Sequence, residues 1–123
     1  MKTITKDLIA ASSIPIILSL LEQEGESYGY AIIKQVKELS GGKLIFSDGT
    51  LYPILRKLEQ QELIESFWRV AENGRRRKYY RIKESGQKRL AAEQQQWHII
   101  HQTLNKLWNN QNPNLNLLPI ISS

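Results

Sequence analysis

Hydrophobic residues recur every three or four positions in four stretches of the chain, and this spacing predicts four amphipathic helices. The first predicted helix follows Asp7, which we expect to cap it, and ends before Gly25. Pro15 falls inside this stretch and predicts either a kink or the start of the continuous part of the helix. The apolar positions are Leu8, Ala11, Ile14, Ile17, Leu18 and Leu21.

The second predicted helix ends at Gly41 and Gly42, and the third begins after Ser47, a suitable N-cap. The apolar stripe of the second consists of Tyr28, Tyr30, Ile32, Ile33, Val36 and Leu39. On the third helix, the side expected to pack carries Leu51, Ile54, Leu55 and Leu58. Its other side carries Gly49, Pro53 and Arg56, flanked by Tyr52 and Lys57. This second side is therefore free to contact a partner.

A β-hairpin is predicted after the third helix. Residues Leu63 to Val70 read as a strand, Asn73 and Gly74 form a turn dipeptide, and Lys78 to Ile82 favour a return strand. The arginines are expected at the tip of this hairpin. Three helices followed by a hairpin predict a mainly α (α+β) fold, a winged helix-turn-helix with a two-stranded wing.

The fourth predicted helix starts near Glu84 and has no partner left within the chain. We therefore expect its apolar stripe to pack against a second copy and form a homodimer. The residues expected in this interface are Leu90, Trp97, Ile100, Leu104, Leu107 and Trp108. The predicted domains are a winged helix-turn-helix domain over 1–83, a dimerisation helix over 84–110 and a polar tail over 111–123.

Positive charge is concentrated in one part of the chain. The formal net charge is +5 and the sequence pI is about 9.6, yet residues 69–89 alone carry nine basic and two acidic side chains. Such a cluster favours a phosphate-facing surface over a general solubilising charge, although a solvated charge run is the alternative. The residues expected to contact double-stranded DNA are Lys34, Ser47, Thr50, Tyr52, Pro53, Arg56, Lys57, Arg75, Arg76, Arg77, Lys78 and Tyr79.

Several classes of protein are disfavoured. The 123 residues include no cysteine, so disulfides, thiolate metal sites and cysteine nucleophiles are excluded, which suits a reducing cytoplasm. No apolar run approaches the length of a membrane span, and we expect no membrane association. His98 and His101 have no third ligand at suitable spacing, and Ser12 and Ser13 lack a base. We therefore expect no metal, no cofactor and no enzymatic activity.

Two segments have a familiar pattern: IFSDGTLYPILRKLE at 45–59 and GRRRKYYRI at 74–82. Together they resemble the PadR family of winged-helix transcriptional regulators, and the likeness extends from about Leu8 to Trp108. The single C-terminal helix resembles the short-tailed subgroup. In one member of that subgroup, a flat hydrophobic pore at the dimer centre binds planar aromatic compounds between two tryptophans. The resemblance implies a pore lined by Leu8, Ala11, Ser12, Pro15, Glu93, Trp97, Ile100 and His101.

The chain departs from the family pattern at a few positions. Glu62 replaces a common glycine and predicts a left-handed turn made by a non-glycine residue. Lys83 replaces the usual threonine before the last helix, which leaves Ser85 as the expected cap. Within the implied pore, Pro15 and His101 differ from the residues of the known aromatic-binding member.

The sequence predicts a repressor with an approximately palindromic operator. The alternatives are a repressor without a small-molecule ligand and a winged-helix module that binds an acidic protein.

Overall fold

The computed structural model describes residues 4–111 and contains four helices and three strands. The elements are α1 (Lys6–Glu24), β1 (Ser27–Tyr28), α2 (Gly29–Leu39), α3 (Asp48–Gln60), β2 (Ile64–Val70), β3 (Arg76–Ile82) and α4 (Glu84–Gln111). This order confirms the predicted winged helix-turn-helix. Apart from Gln111, the predicted polar tail lies outside the described residues.

Helix α1 begins two residues earlier than expected. The Thr5 hydroxyl caps it by accepting a hydrogen bond from the Leu8 amide at 3.3 Å, so the predicted cap at Asp7 was wrong. The helix continues through Pro15 to Glu24, and the residues before Pro15 do not form a separate turn. Pro15 has no N–H, and the Ala11 carbonyl therefore lacks its usual donor within the helix.

The core lies between the first three helices and the sheet. Ile17, Leu18, Ile32 and Phe46 are buried there. Helix α3 contributes Leu51, Leu55 and Leu58, which confirms the predicted packing face, and Ile54 is partly buried against them. The opposite side of α3 stays at the surface, as expected from its polar residues.

The sheet has three antiparallel strands in the order β1-β3-β2, and the prediction of two strands was therefore incomplete. The added strand β1 is only two residues long and pairs Ser27 with Tyr80 and Tyr28 with Tyr79. Between β2 and β3, Trp68 lies opposite Lys78 and Phe67 lies opposite Tyr79. Because neighbouring residues of a strand point to opposite sides, Trp68 and Phe67 lie on different faces.

The turn of the hairpin is longer than a two-residue loop. The Ala71 amide donates to the Arg75 carbonyl at 2.7 Å, and the Gly74 amide donates to the Ala71 carbonyl at 2.9 Å. Gly74 has a φ of 84° and supplies the left-handed residue that such a bulged turn requires. Of the predicted tip arginines, Arg75 lies in the turn, whereas Arg76 and Arg77 lie on β3.

Helix α3 ends in a Schellman motif. The Leu63 amide donates to the Leu58 carbonyl at 3.0 Å, and the Glu62 amide donates to the Glu59 carbonyl at 3.0 Å. Glu62 has a φ of 60°, which confirms the prediction of a left-handed non-glycine residue.

The start of α4 packs tightly against the sheet. A Cβ atom on Gly86 would lie 2.1 Å from the Leu63 carbonyl oxygen, so only glycine fits there. The Ser85 hydroxyl donates to the Glu62 carbonyl at 2.5 Å and lies inside the helix, so the prediction that Ser85 caps α4 was wrong. Leu90 is only 5% exposed and belongs to the core of its own chain, which corrects its predicted place in a dimer interface.

The chain divides into two compact units between Leu90 and Ala91. The first turns of α4, up to Leu90, belong to the first of these units, and the boundary after residue 83 stays a prediction. None of the helices within residues 4–111 is long and apolar enough to cross a membrane.

Candidate nucleic-acid interface

A groove of about 530 Å³ runs between the exposed side of α3 and one face of the sheet. Its described lining includes four cationic residues and one acidic residue. The residues that line it are Tyr28, Gly29, Tyr30, Tyr52, Arg56, Glu59, Trp68, Arg76, Arg77, Lys78 and Tyr80. The groove therefore combines positive charge with aromatic surface, as expected for contacts with phosphates and bases.

Tyr52 and Arg56 form the helical wall of the groove, one turn apart on α3. The phenol of Tyr52 lies against the backbone of Gly29, and a Cβ atom there would be 2.3 Å from the Tyr52 hydroxyl oxygen. The missing side chain at the start of α2 therefore makes room for the Tyr52 ring. Both Tyr52 and Arg56 are exposed.

Trp68, Arg76 and Lys78 form the wall on the sheet side. The Arg76 guanidinium lies 4.9 Å from the centroid of the Trp68 ring, a cation–π contact that restrains both side chains. The Trp68 side chain is nevertheless 58% exposed, which is unusual for the largest apolar residue type. Its indole is available to a ligand in the groove.

Glu59 is the one carboxylate among the groove residues. It accepts a hydrogen bond from the Ser66 hydroxyl, and its other oxygen lies 3.8 Å from the Lys78 ammonium. Burial raises the pKa of Tyr80 above its ordinary value of 10.0, and the nearby Glu59 carboxylate adds to this effect. The Tyr80 hydroxyl therefore stays protonated at neutral pH.

The opposite face of the sheet carries a cluster of aromatic and arginine side chains. The rings of Phe67 and Tyr79 stack with centroids 5.9 Å apart, and Tyr28 meets Tyr79 edge-on at 5.3 Å. The Arg77 guanidinium lies 4.2 Å from the Tyr28 ring. Of the two adjacent tyrosines, Tyr80 lines the groove, whereas Tyr79 packs on the far face.

The other residues expected at DNA lie outside the groove. The Ser47 hydroxyl accepts from the Thr50 amide at 3.2 Å and donates to the Thr50 hydroxyl at 3.0 Å, so both side chains serve the start of α3. Thr50 and Lys57 line a second cavity, on the side of α3 that faces α1. Lys34, Pro53 and Arg75 are exposed at the surface.

Sequence reasoning did not include six of the groove residues in the predicted DNA contacts: Tyr28, Gly29, Tyr30, Glu59, Trp68 and Tyr80. The alternation of apolar residues along β2 identified Trp68 as a strand residue, but alternation does not indicate which face of a sheet meets a helix. Glu59 was missed because its sign is opposite to that of a phosphate-binding group.

The residues implied for the dimer pore fall on two separate elements. Leu8, Ala11, Ser12 and Pro15 share one face of α1 and are exposed or partly exposed. In the second unit, the Trp97 indole donates a hydrogen bond to the Glu93 carboxylate at 3.2 Å. His101 is partly buried on the same side of α4.

The rest of the predicted interface stripe on α4 is largely at the surface. Ile100 is 49% exposed and Leu107 is 51% exposed, and Trp108 is exposed as well, whereas Leu104 is half-buried. Within residues 4–111, no group of three or more histidine, aspartate or glutamate side chains is arranged to hold a metal ion.

Comparison with known proteins gives a family match. The model of the transcriptional regulator PadR-like family matches residues 17–92. An uncharacterized protein of Lysinibacillus sphaericus is 31% identical over 94 residues, which are 76% of this chain and 85% of that protein.

Solved structures agree with this match. A transcriptional regulator from Clostridium thermocellum has a TM-score of 0.74 and 35% identity, covering 82% of this chain and 97% of its own. A PadR-like transcriptional regulator from Bacillus cereus has a TM-score of 0.72 and 28% identity, covering 83% of this chain and 96% of its own. The residues that the family model matches, 17–92, include both walls of the groove.

Proposed function

This chain belongs to the PadR-like family of transcriptional regulators, which are DNA-binding proteins and not enzymes, and from that premise we propose that it represses transcription as a homodimer. Each copy inserts α3 into the major groove of the DNA, and its hairpin lies along the adjacent DNA backbone. Two copies related by a twofold axis recognise an approximately palindromic operator, with half-sites about 34 Å apart. A regulator must reach DNA, so we assign its action to the cytoplasm.

The groove between α3 and the sheet is the observation that carries this proposal. Arg76 and Lys78 on its sheet wall can contact phosphates, and Tyr52 and Arg56 lie on the exposed side of α3, where they can reach base edges. Their guanidinium and phenol groups suit direct readout, since arginine donates two hydrogen bonds to guanine. We therefore assign base recognition to α3 and backbone contacts to Arg76 and Lys78.

Selection of bound sequences from a random duplex pool tests the proposal. We expect a palindromic consensus and an affinity that falls steeply as salt rises, because phosphate contacts release counterions. Arg76→Ala should weaken binding to all duplexes alike, whereas Arg56→Ala should change the preference among sequences. Lys106→Ala removes the same charge from an exposed position on α4 and is the control. If Arg76→Ala leaves duplex affinity unchanged, the wing does not bind DNA.

We further propose that the chain resembles the short-tailed subgroup, which includes the multidrug-binding regulator LmrR, in forming a pore at the dimer centre. The exposed apolar residues Ile100, Leu107 and Trp108 on α4 support dimerisation, and the exposed face of α1 that includes Leu8 supports a pore wall. A planar hydrophobic compound would stack on Trp97 of each copy and change the spacing of the two α3 helices.

Tryptophan fluorescence tests the pore. We expect planar aromatic cations to quench the native protein more strongly than Trp97→Ala, and Trp108→Phe is the control for the remaining tryptophans. Equal quenching of the native protein and Trp97→Ala, or none in either, would remove Trp97 from ligand binding. A repressor with a packed dimer centre would then remain.

A further inference from the structure

A second cavity, of about 460 Å³, lies between the first half of α1 and the inward side of α3. It belongs to the first unit and is separate from the groove of the nucleic-acid interface. The residues that line it are Lys6, Ile9, Ala10, Ser13, Ile14, Ile45, Thr50, Ile54 and Lys57. Its volume falls within the range of small-molecule sites, about 300–1,000 Å³.

Four of the nine residues in this lining are isoleucines. They are Ile9, Ile14, Ile45 and Ile54, and Ile45 remains 55% exposed even though it is an aliphatic core-type residue. No aromatic ring lines this cavity within the part of the chain that the structure describes. The walls therefore suit a flexible hydrocarbon chain better than a flat ring that needs a stacking partner.

Two ammonium groups, from Lys6 and Lys57, are the only charges in the lining that the structure describes. Neither makes a salt bridge to a carboxylate within residues 4–111. Unpaired cations beside an apolar cavity favour a ligand that has one negative group and a long apolar body. We propose that this cavity binds an aliphatic carboxylate, with the carboxylate held by Lys6 and Lys57 and the chain lying among the isoleucines.

The site is connected directly to α3. Lys57 and Thr50 belong to that helix, and the Thr50 amide is part of its N-terminal cap. A bound carboxylate holds the Lys57 ammonium in the cavity and neutralises a charge that otherwise attracts DNA. Aliphatic carboxylates should therefore weaken duplex binding. This consequence rests on the proposed function, whereas binding of the carboxylate itself does not.

Calorimetric titration of the full chain with sodium decanoate, below its micellar concentration, tests the site. We expect decanoate to bind. Butyrate should bind at least about tenfold more weakly because its chain is short, and decyltrimethylammonium should do so because it has no negative charge. Lys6→Gln should weaken decanoate by about tenfold through loss of a charged hydrogen bond. Ala10→Met should do the same by filling the cavity, whereas Ala92→Met, at an exposed position on α4, is its matched control.

The outcomes separate this site from the other proposals. Unchanged decanoate affinity in both Lys6→Gln and Ala10→Met, with wild-type circular dichroism and thermal unfolding, would overturn the proposal. So would equal binding of the cationic amphiphile, no binding of decanoate, or loss of binding in Trp97→Ala, which would place the ligand at the dimer centre. Calorimetry without DNA keeps the result independent of duplex binding, so failure of the operator experiment leaves this test intact.

Discussion

Glu62 shows how a single residue can carry strain without disturbing the fold. Its φ of 60° lies in the left-handed region, where a Cβ atom is crowded and glycine is favoured. The hydrogen bonds of the Schellman motif and the buried side chains of Leu58 and Leu63 hold the turn in place. The Lys83 ammonium, 3.7 Å from the carboxylate, is an exposed contact that contributes little.

We expect Glu62→Gly to stabilise the protein by about 1 kcal/mol, because it relieves the left-handed strain at a position whose side chain is mostly in solvent. Thermal or urea unfolding followed by circular dichroism measures the change. Gln61→Gly is the control, since Gln61 has a φ of −81° and gains nothing from glycine. Equal effects of the two substitutions would contradict this explanation.

Trp68 is the residue whose exposure most needs an explanation. The Arg76 guanidinium covers one face of the indole and the groove leaves the rest open. An aromatic side chain held in this way can pack against sugars or bases with little loss of conformational entropy.

We expect Trp68→Ala to weaken duplex binding about threefold to tenfold and to change the unfolding midpoint little, because the side chain is largely exposed. Trp68→Phe should retain part of the affinity. Fluorescence anisotropy with the selected operator measures both. Leu39→Ala removes another exposed apolar side chain, outside the groove, and should leave the affinity unchanged. A fully active Trp68→Ala protein would show that the indole does not contact DNA.

At the scale of elements, the helices and the hairpin were predictable because each has a strong local pattern. Ser47 and Gly41 mark helix ends by their own chemistry, and the apolar face of α3 appears in its spacing. Strand β1 has only two residues and no period to detect, so its pairing with β3 depends on distant parts of the chain. Leu90 has the helical spacing of an interface residue, but tertiary packing places it in the core.

The same limit applies to the groove. The basic cluster predicted the positive charge of the groove. The close contact between α2 and α3 was not predicted: the Tyr52 ring fits against Gly29 only because glycine has no side chain. No local pattern indicates such a contact. It can be found only when the packing of α2 against α3 is known.

We expect Gly29→Ala to displace the Tyr52 ring, because the added methyl group would meet its hydroxyl end. The expected result is a changed preference among duplex sequences with a modest loss of stability, about 1–3 kcal/mol. Repeating the duplex selection and urea unfolding measures both. In the Tyr52→Ala background, Gly29→Ala should have little further effect on preference. Additive effects on preference would show that the two residues act independently.

At the scale of the whole molecule, exposed apolar surface on α4 is the strongest argument for a second copy. Ile99, Ile100, Leu107 and Trp108 are all exposed, although monomeric proteins rarely leave so many large apolar side chains on one helix in water. A dimer that buries the predicted stripe would also bring the two DNA-binding units under one symmetry axis.

We expect the double variant Ile100→Glu/Leu107→Glu to be monomeric, because paired carboxylates would have to be buried at the interface without partners. Sedimentation velocity measures the change, and affinity for a palindromic operator should fall at least about a hundredfold when avidity is lost. Gln102→Glu/Thr103→Glu adds the same charge at exposed positions outside the predicted stripe and should remain dimeric. A monomeric native protein would contradict the model of paired operator binding.

Glu59 has a consequence for how such a protein would find its site in a genome. A carboxylate among the groove cations repels every phosphate backbone equally, so it lowers the attraction to random DNA without favouring any base. A regulator searches among a vast excess of irrelevant sites, and weaker transient attachment shortens the time lost at each one. If the groove binds DNA as proposed, Glu59 would thus weaken binding to random sites, speed the search and leave the final choice of site to base contacts.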